Sequence, residues 1–362
     1  MRLATSVPFA EAAELIHGLL KVEVDDETVR RLTERAGKAA VAVEEEEREG
    51  LVTKMARERA SGGVLQLVSV DGAMVRTREE GWTEVKTLAI GQVARSTTAP
   101  TTNDLSYFSR LADHRTFSDL ARLEFHRRRT ANAEEVVAVT DGAVWIQGFL
   151  DDHCPEATRI IDWWHAAHYL GVAGQALFGA GSEKATTWLE LMLEELAHGD
   201  PEVVVGELGI IEDLLGLEAV RAARTYLQER MDKIRYRECR DQGLPIGSGS
   251  VESANKTVVE VRLKRAGCRW AVANVDPMLT LRTVLKSHRW DERWPALCRS
   301  LQPRHRSRAT TRPPDSSPPT PAPVTPTVAS TPPREKTIID GRPTRKHPWN
   351  KTPAVRPSRA KL

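Results

Sequence analysis

VLQLVSVDGA (64–73) is a short apolar run that ends on Asp71-Gly72. Its reading decides the fold. A run of this length, closed by a turn dipeptide, predicts a buried β-strand. WTEVKTLAIGQVA (82–94) alternates well enough to be its hairpin partner, and LSYFSRL (105–111) supplies a third strand. Residues 115–129 look helical. EEVVAVTDG (134–142) is a second buried strand that ends in Asp-Gly, and ATRIIDWWH (157–165) is a further strand or strand–helix junction. The expected layout is therefore α/β: strands, then strands alternating with helices.

Outward from this core, residues 1–60 read as helices. Phe9, Ala12, Ala13, Leu15, Ile16 and Leu19 recur at helical spacing, and Asp25 or Asp26 is placed to cap a second helix starting near Glu27. Two such helices make either a DNA-entering helix-turn-helix or a packing module. The second offers Arg30, Arg31 and Arg35 but no stronger signature. Residues 166–240 are almost entirely helical in pattern, and a basic helix (251–265) and another helical stretch follow.

From about residue 303 the composition shifts to Pro, Ser, Thr and Arg, which predicts a disordered tail with IIDGRPTRKHPWNK (338–351) as an ordered or binding patch. The net charge of +2 hides an asymmetry. Residues 303–362 hold 13 Lys/Arg against 3 Asp/Glu, leaving 39 against 47 in the rest. An acidic body with a basic tail is compatible with phosphate binding, and also with a merely solubilising tail.

A chain of 362 residues with 40% apolar content can bury a real core as one large domain or two ordinary ones. No apolar run approaches membrane-spanning length, and the first residues show no signal-peptide pattern, so a cytoplasmic protein without a membrane partner is expected. Cys154, Cys239, Cys268 and Cys298 form no CxxC pair, which predicts free thiols.

Three acids carry the chemical argument. Asp71 and Asp141 close apolar runs, and carboxylates at the ends of neighbouring buried strands can converge on a metal. Asp-Gly is also a common turn dipeptide. Glu252, in PIGSGSVESANK (245–256), opens a helix after a flexible turn. There it suits the helix dipole, with Ser250 as N-cap and Lys256 as an i, i+4 partner. It is also the natural third acid. Hard divalent cations prefer such oxygen ligands, and phosphodiester chemistry uses them. Asp162 and His165, three residues apart in DWWH, can share one face of a helical turn. Cys154 and His168 complete no standard zinc spacing around them. Beyond Glu252, Lys256, Arg262, Lys264, Arg265 and Arg269 stand against Glu260, with Trp270 next in line. That mixture suits phosphate contact and base stacking, or a solvated helix face.

Taken together, VSVDGA (68–73), VTDGAVWI (139–146), IIDWWHAAHYL (160–170), PIGSGSVESANK and VRLKRAGCRW (261–270) resemble bacterial insertion-sequence transposases. These are DDE enzymes with a ribonuclease H-like core, related to the Mutator-like group. The ending DGRPTRKHPW (340–349) is similar too, and only the proline-rich stretch near 310–333 lies outside the likeness. The resemblance implies Asp71, Asp141 and Glu252 as catalytic, metal-holding acids for Mg²⁺ or Mn²⁺, two ions in all. Asp162 and His165 match the D-x-x-H signature in a supporting role, with Asp162 the rival to Asp141. Lys256, Arg262, Lys264, Arg265 and Arg269 would hold DNA.

The fold implied is a ribonuclease H-like mixed sheet flanked by helices. An N-terminal helical module spans 1–60, the first part of the core 61–165, an all-α insertion 166–244, the completed core 245–302 and the tail 303–362. The activity implied is metal-dependent cleavage at transposon ends and 3′-OH strand transfer by a homodimer or higher multimer near the bacterial nucleoid. Relatives of this kind often carry more chain before the first helices. A degenerate DNA-binding derivative and a nuclease of the same core are the alternatives.

Overall fold

A computed structural model describes residues 1–54 and 63–302, together with two short strands within 338–343. Helices α1 (Arg2–Ser6), α2 (Phe9–Leu20) and α3 (Asp26–Lys54) come first. Strands β1 (Leu65–Arg76), β2 (Trp82–Ala94) and β3 (Thr101–Arg110) lead into α4 (His114–Arg128). Then β4 (Glu135–Thr140), α5 (Val144–His153) and β5 (Thr158–Ile161) alternate. The helical block is α6 (Trp163–Phe178), α7 (Glu183–His198), α8 (Pro201–Leu215), α9 (Glu218–Gln228) and α10 (Tyr236–Asp241). Last come α11 (Gly249–Ala254), a π-helical turn (Asn255–Glu260), α12 (Val261–Leu263), α13 (Val272–Lys286) and α14 (Trp290–Leu301).

The sheet is mixed, in the order β3-β2-β1-β4-β5. β1, β2 and β3 are antiparallel neighbours, while β1, β4 and β5 run parallel. The expected α/β class with a mixed, helix-flanked sheet is what forms.

Alternation along β1 sorts the core. Leu65 and Leu67 face the helical block and share a cluster with Ile160, Leu170, Leu208 and Tyr236. Val68 and Val70 face the other way, onto Phe117 and Phe125 of α4 and Ile146 and Phe149 of α5. Farther along, Ala73 and Val75 meet Val258, Val259 and Leu279. Asp71 has the parity of Leu67 and Ala73. It therefore lies in the seam between the helical block and the late helices.

One expectation about β1 needs correction. The strand does not end at Asp71-Gly72 but continues to Arg76, because β2 pairs with it all the way from Gln66↔Gln92 to Arg76↔Trp82. Only the pairing with β4 stops early, at Val68↔Ala138. Gly72 accordingly makes no turn; a Cβ there would collide with the Glu84 carboxylate. Gly142 does turn, at φ +80°.

Met1–Arg304 forms one compact unit. α3 packs along α13 and α14, and a Cβ on Gly37 would lie 2.5 Å from the Pro277 carbonyl oxygen. A buried ion network staples this contact. Glu44 and Glu47 of α3 meet Arg110, Arg127 and Arg293, and Glu124 meets Arg127 and Arg289. Burial works against the charge on Glu47, but hydrogen bonds from Arg127 and Arg293 outweigh it and hold the carboxyl at about 2. Arg30 is likewise engaged, by Glu27 and Glu34.

Within His305–Leu362, Ile338–Ile339 and Arg342–Pro343 pair as an antiparallel ladder. The remainder of the expected disordered tail lies outside the described residues. No helix among the described residues is long and apolar enough to cross a membrane. All four cysteines are free.

Candidate functional site

Register brings the acids of the sheet into line. The β1–β4 pairing ends at Val68↔Ala138, and counting on in that register sets Asp71 opposite Asp141, three residues past the last pair; the charge of Asp141 acts on Asp71. β4 and β5 pair as Thr140↔Ile161, so Asp141 and Asp162 match one residue past the last pair. Neighbouring strands run about 4.8 Å apart. Three carboxylates thus follow one another across the carboxyl ends of the parallel strands, the position where open α/β sheets place ligands.

Their surroundings differ. Asp162 is 2% exposed and fully engaged. It caps α6 and accepts hydrogen bonds from the His165 ring Nδ1 (2.9 Å) and the Ser248 amide (2.6 Å). Burial opposes its charge, but these partners outweigh burial and hold Asp162 below the ordinary carboxylate range. Its own amide donates to Thr140 O, and Trp163 N donates to Ile246 O. Asp162 therefore ties β4, α6 and the 245–250 loop together. A carboxylate committed in this way is a positioning group, and that favours Asp141 as the second acid.

Asp71 is less well compensated. Burial pushes its carboxyl up, and the charge of Asp141 adds to that. The Gly72 amide and Asn255 Nδ2 (2.8 Å) donate to it in partial compensation. His165 faces the same charges. Its bond to Asp162 raises its pKa first, and Asp141 and Asp71 raise it further. Asp141 receives the Ala143 amide at 2.8 Å, and its main-chain carbonyl accepts from Tyr226 Oη at 2.8 Å.

Glu252 does not join them. Its side chain is 56% exposed and forms an ion pair with Lys256. Among the described residues no group of three His, Cys, Asp or Glu side chains stands close enough to hold a metal. What the late helix brings to Asp71 is Asn255, three residues after Glu252 and so one turn along the same side. Its Oδ1 is buried without a hydrogen-bond partner among the described residues. The helix starts differently from expectation as well. The N-cap is Ser248 rather than Ser250 and makes no side-chain capping bond; its amide donates to Asp162.

The basic residues divide. Lys256 is exposed and paired with Glu252; Lys264 pairs with Glu260 at 2.9 Å; Arg265 lies 3.8 Å from Glu11. Arg269 is exposed. Arg262, expected to hold DNA, is instead 2% exposed. Its guanidinium lies between the rings of Phe9 and Trp270, 4.6 and 4.9 Å from their centroids, and donates to Ala4 O. It is a structural pin, and Trp270, at 7% exposure, offers no open face to a base.

Sequence reasoning missed Asn255, Tyr226 and Arg230. Arg230 lies over the Tyr226 ring at 4.2 Å and reaches the Gly142 carbonyl, and with Lys233 it lines a cavity of about 160 Å³ beside Gly142. The i, i+4 spacing of Tyr226, on α9, and Arg230, just past its end, was a visible signal. What they meet, 85 and 88 residues back along the chain, was not.

The chain matches no family model and no curated protein.

Proposed function

We propose that the chain is a DDE transposase of an insertion sequence, with a ribonuclease H-like core, acting on DNA ends. One observation carries this reading: Asp71 on β1 and Asp141 just past β4 come close enough to repel each other, with no arginine or lysine ion-paired to either among the described residues. Two like charges held this way are unfavourable by themselves. The glutamates of the α3 network are neutralised by arginine; these are not.

The donor set fits a hard divalent cation such as Mg²⁺ or Mn²⁺. Carboxylates of Asp71 and Asp141 would hold it, with the unpartnered Asn255 Oδ1 as an additional oxygen donor. Glu252 would complete the set by leaving Lys256, and one turn of helix is all that separates it from Asn255. Bound there, two such ions supply charge for the attacking and leaving oxygens of a phosphodiester displacement.

The chain's own groups do the remaining work. Asp162 fixes the 245–250 loop and thereby the start of the helix bearing Glu252. His165, whose pKa is raised first by its bond to Asp162 and further by Asp141 and Asp71, would face an incoming phosphate. Arg230 and Lys233, beside Gly142, and Lys264, Arg265 and Arg269 are placed to neutralise the DNA backbone. A multimer on paired ends is the expected working form.

A second reading has one observation in its favour. The Glu252–Lys256 pair leaves the third acid outside the site, as it would be in a degenerate, DNA-binding derivative. Incubating the protein with plasmid DNA carrying the gene's own flanking sequences, with Mn²⁺, separates the two. Cleavage and joining by the wild type, lost in Asp71→Asn, Asp141→Asn and Glu252→Gln, supports the transposase. Cutting without joining supports a nuclease of the same core, and binding without cutting supports the derivative.

A further inference from the structure

At its far end the β1–β2 hairpin carries Arg76 opposite Trp82. The loop after α12 is laced to this end by main-chain bonds: Trp270 N to Arg76 O at 3.1 Å and Arg78 N to Trp270 O at 2.9 Å. Gly267 turns the loop at φ +76°, and the buried Arg262 anchors it from beneath. Between hairpin and loop lies a cavity of about 290 Å³, lined by Arg76, Trp82, Lys264, Arg265, Cys268 and Arg269 among others.

No carboxylate lines this cavity. Of the acids nearby, Glu79 accepts from Val272 N and Glu84 pairs with Lys86, while Glu260 pairs with Lys264 of the cavity wall. Glu11 reaches Arg265 only at 3.8 Å. Arg76 and Arg269 form no ion pair among the described residues. Trp82 is 56% exposed, costly for an indole unless something covers it, and Met74 beside it is 42% exposed. Four cations around an open indole meet the requirements of a strand with unpaired bases: charge for its phosphates and a flat apolar face for a base. The cavity is separate from the acids. Arg76 lies five residues beyond Asp71 on β1, about 17 Å along the strand at about 3.3 Å per residue.

We propose that this cavity binds an unpaired nucleotide of DNA, the base stacked on Trp82 and its phosphates held by Arg76, Lys264, Arg265 and Arg269. The proposal rests on the DNA-acting reading and adds to it a place where a strand is held open outside the catalytic acids.

The test measures binding of labelled oligothymidylate in EDTA, beside the same oligonucleotide with abasic sites. Wild type should prefer the base-bearing strand about tenfold, Trp82→Ala should abolish that preference, and Trp82→Phe should retain it. Arg269→Gln should weaken both strands alike and flatten the salt dependence. A measurement free of variants is the alkylation of Cys268, which oligothymidylate should slow and the abasic strand should slow less. Equal binding of the two strands by wild type, or preference kept in Trp82→Ala, overturns the proposal. Its failure is distinguishable from that of the transposase reading. A protein that cuts and joins DNA without the base preference loses only the pocket. One with the preference that never cuts loses only the catalysis.

Discussion

Two regions of this molecule collect charge below the surface, and they do it in opposite ways. Between α3, α4 and α14, three glutamates meet four arginines, and every carboxylate has at least one guanidinium against it. At the carboxyl ends of β1, β4 and β5, three aspartates gather with one histidine and one asparagine. The first region is closed: every carboxylate is paired, and its role is to hold helices to the sheet. The second is open: Asp162 is satisfied, but Asp71 and Asp141 face each other. Buried charge alone marks neither structure nor function; an imbalance left standing is the sign of a site that takes a charged ligand.

Substitution separates the two regions most sharply. Asp71→Asn and Asp141→Asn should each reduce Mn²⁺-dependent DNA cleavage by roughly a thousandfold or more, while thermal unfolding stays unchanged or shifts upward. Activity retained in either would remove that residue from the site. Glu124→Ala should do the reverse. It strands Arg289 without its partner, leaves Arg127 to Glu44 and Glu47, and should cost about 3–5 kcal/mol in urea unfolding. A loss under 1 kcal/mol, roughly that of a surface pair, would mean that the network contributes little.

The response to metal is the next test. At a concentration a hundred times its dissociation constant, Mn²⁺ should stabilise the wild type by about 2.7 kcal/mol. Asp71→Asn should lose that gain, and Glu124→Ala should keep it. Equal stabilisation of wild type and Asp71→Asn would place the ion elsewhere.

The smallest effect comes from His165, whose pKa is raised in the fold by Asp162, Asp141 and Asp71. A raised pKa means that the folded state holds the proton more tightly. The stability it contributes is full below the unfolded value of about 6.5 and is lost as pH rises through the folded value. In EDTA, wild type should therefore lose stability as the pH rises above about 6.5, and His165→Gln should lack that slope. Parallel curves would show that His165 does not sense the acids.

Much of this contrast was legible beforehand, and the reasons are local. β2 occupies the residues that alternation marked, 82–94, because hairpin pairing obeys the same period along its whole length. The Asp162–His165 contact follows from helical spacing at an N-terminus. What was illegible depends on distant chain. β1 passes through Asp71-Gly72 because β2 is long enough to pair beyond it. Arg262 is buried because Phe9 and Trp270 enclose it, and no helical pattern near residue 262 announces an aromatic partner from α2. Lys256 behaves as its i, i+4 spacing with Glu252 suggested, and that local bond is what keeps the third acid outside.

The π-helical turn at Asn255–Glu260 has a mechanical consequence. A π turn fits one more residue into the coil than the α-helix allows, so everything after it is rotated relative to what precedes it. Arg282 bridges the fault, donating to the Thr257 and Val258 carbonyls and, across the interface, to Thr5 O. The coil therefore continues out of α-helical phase: Glu252, before the fault, stays at the surface against Lys256, while Arg262, after it, is turned inward between Phe9 and Trp270.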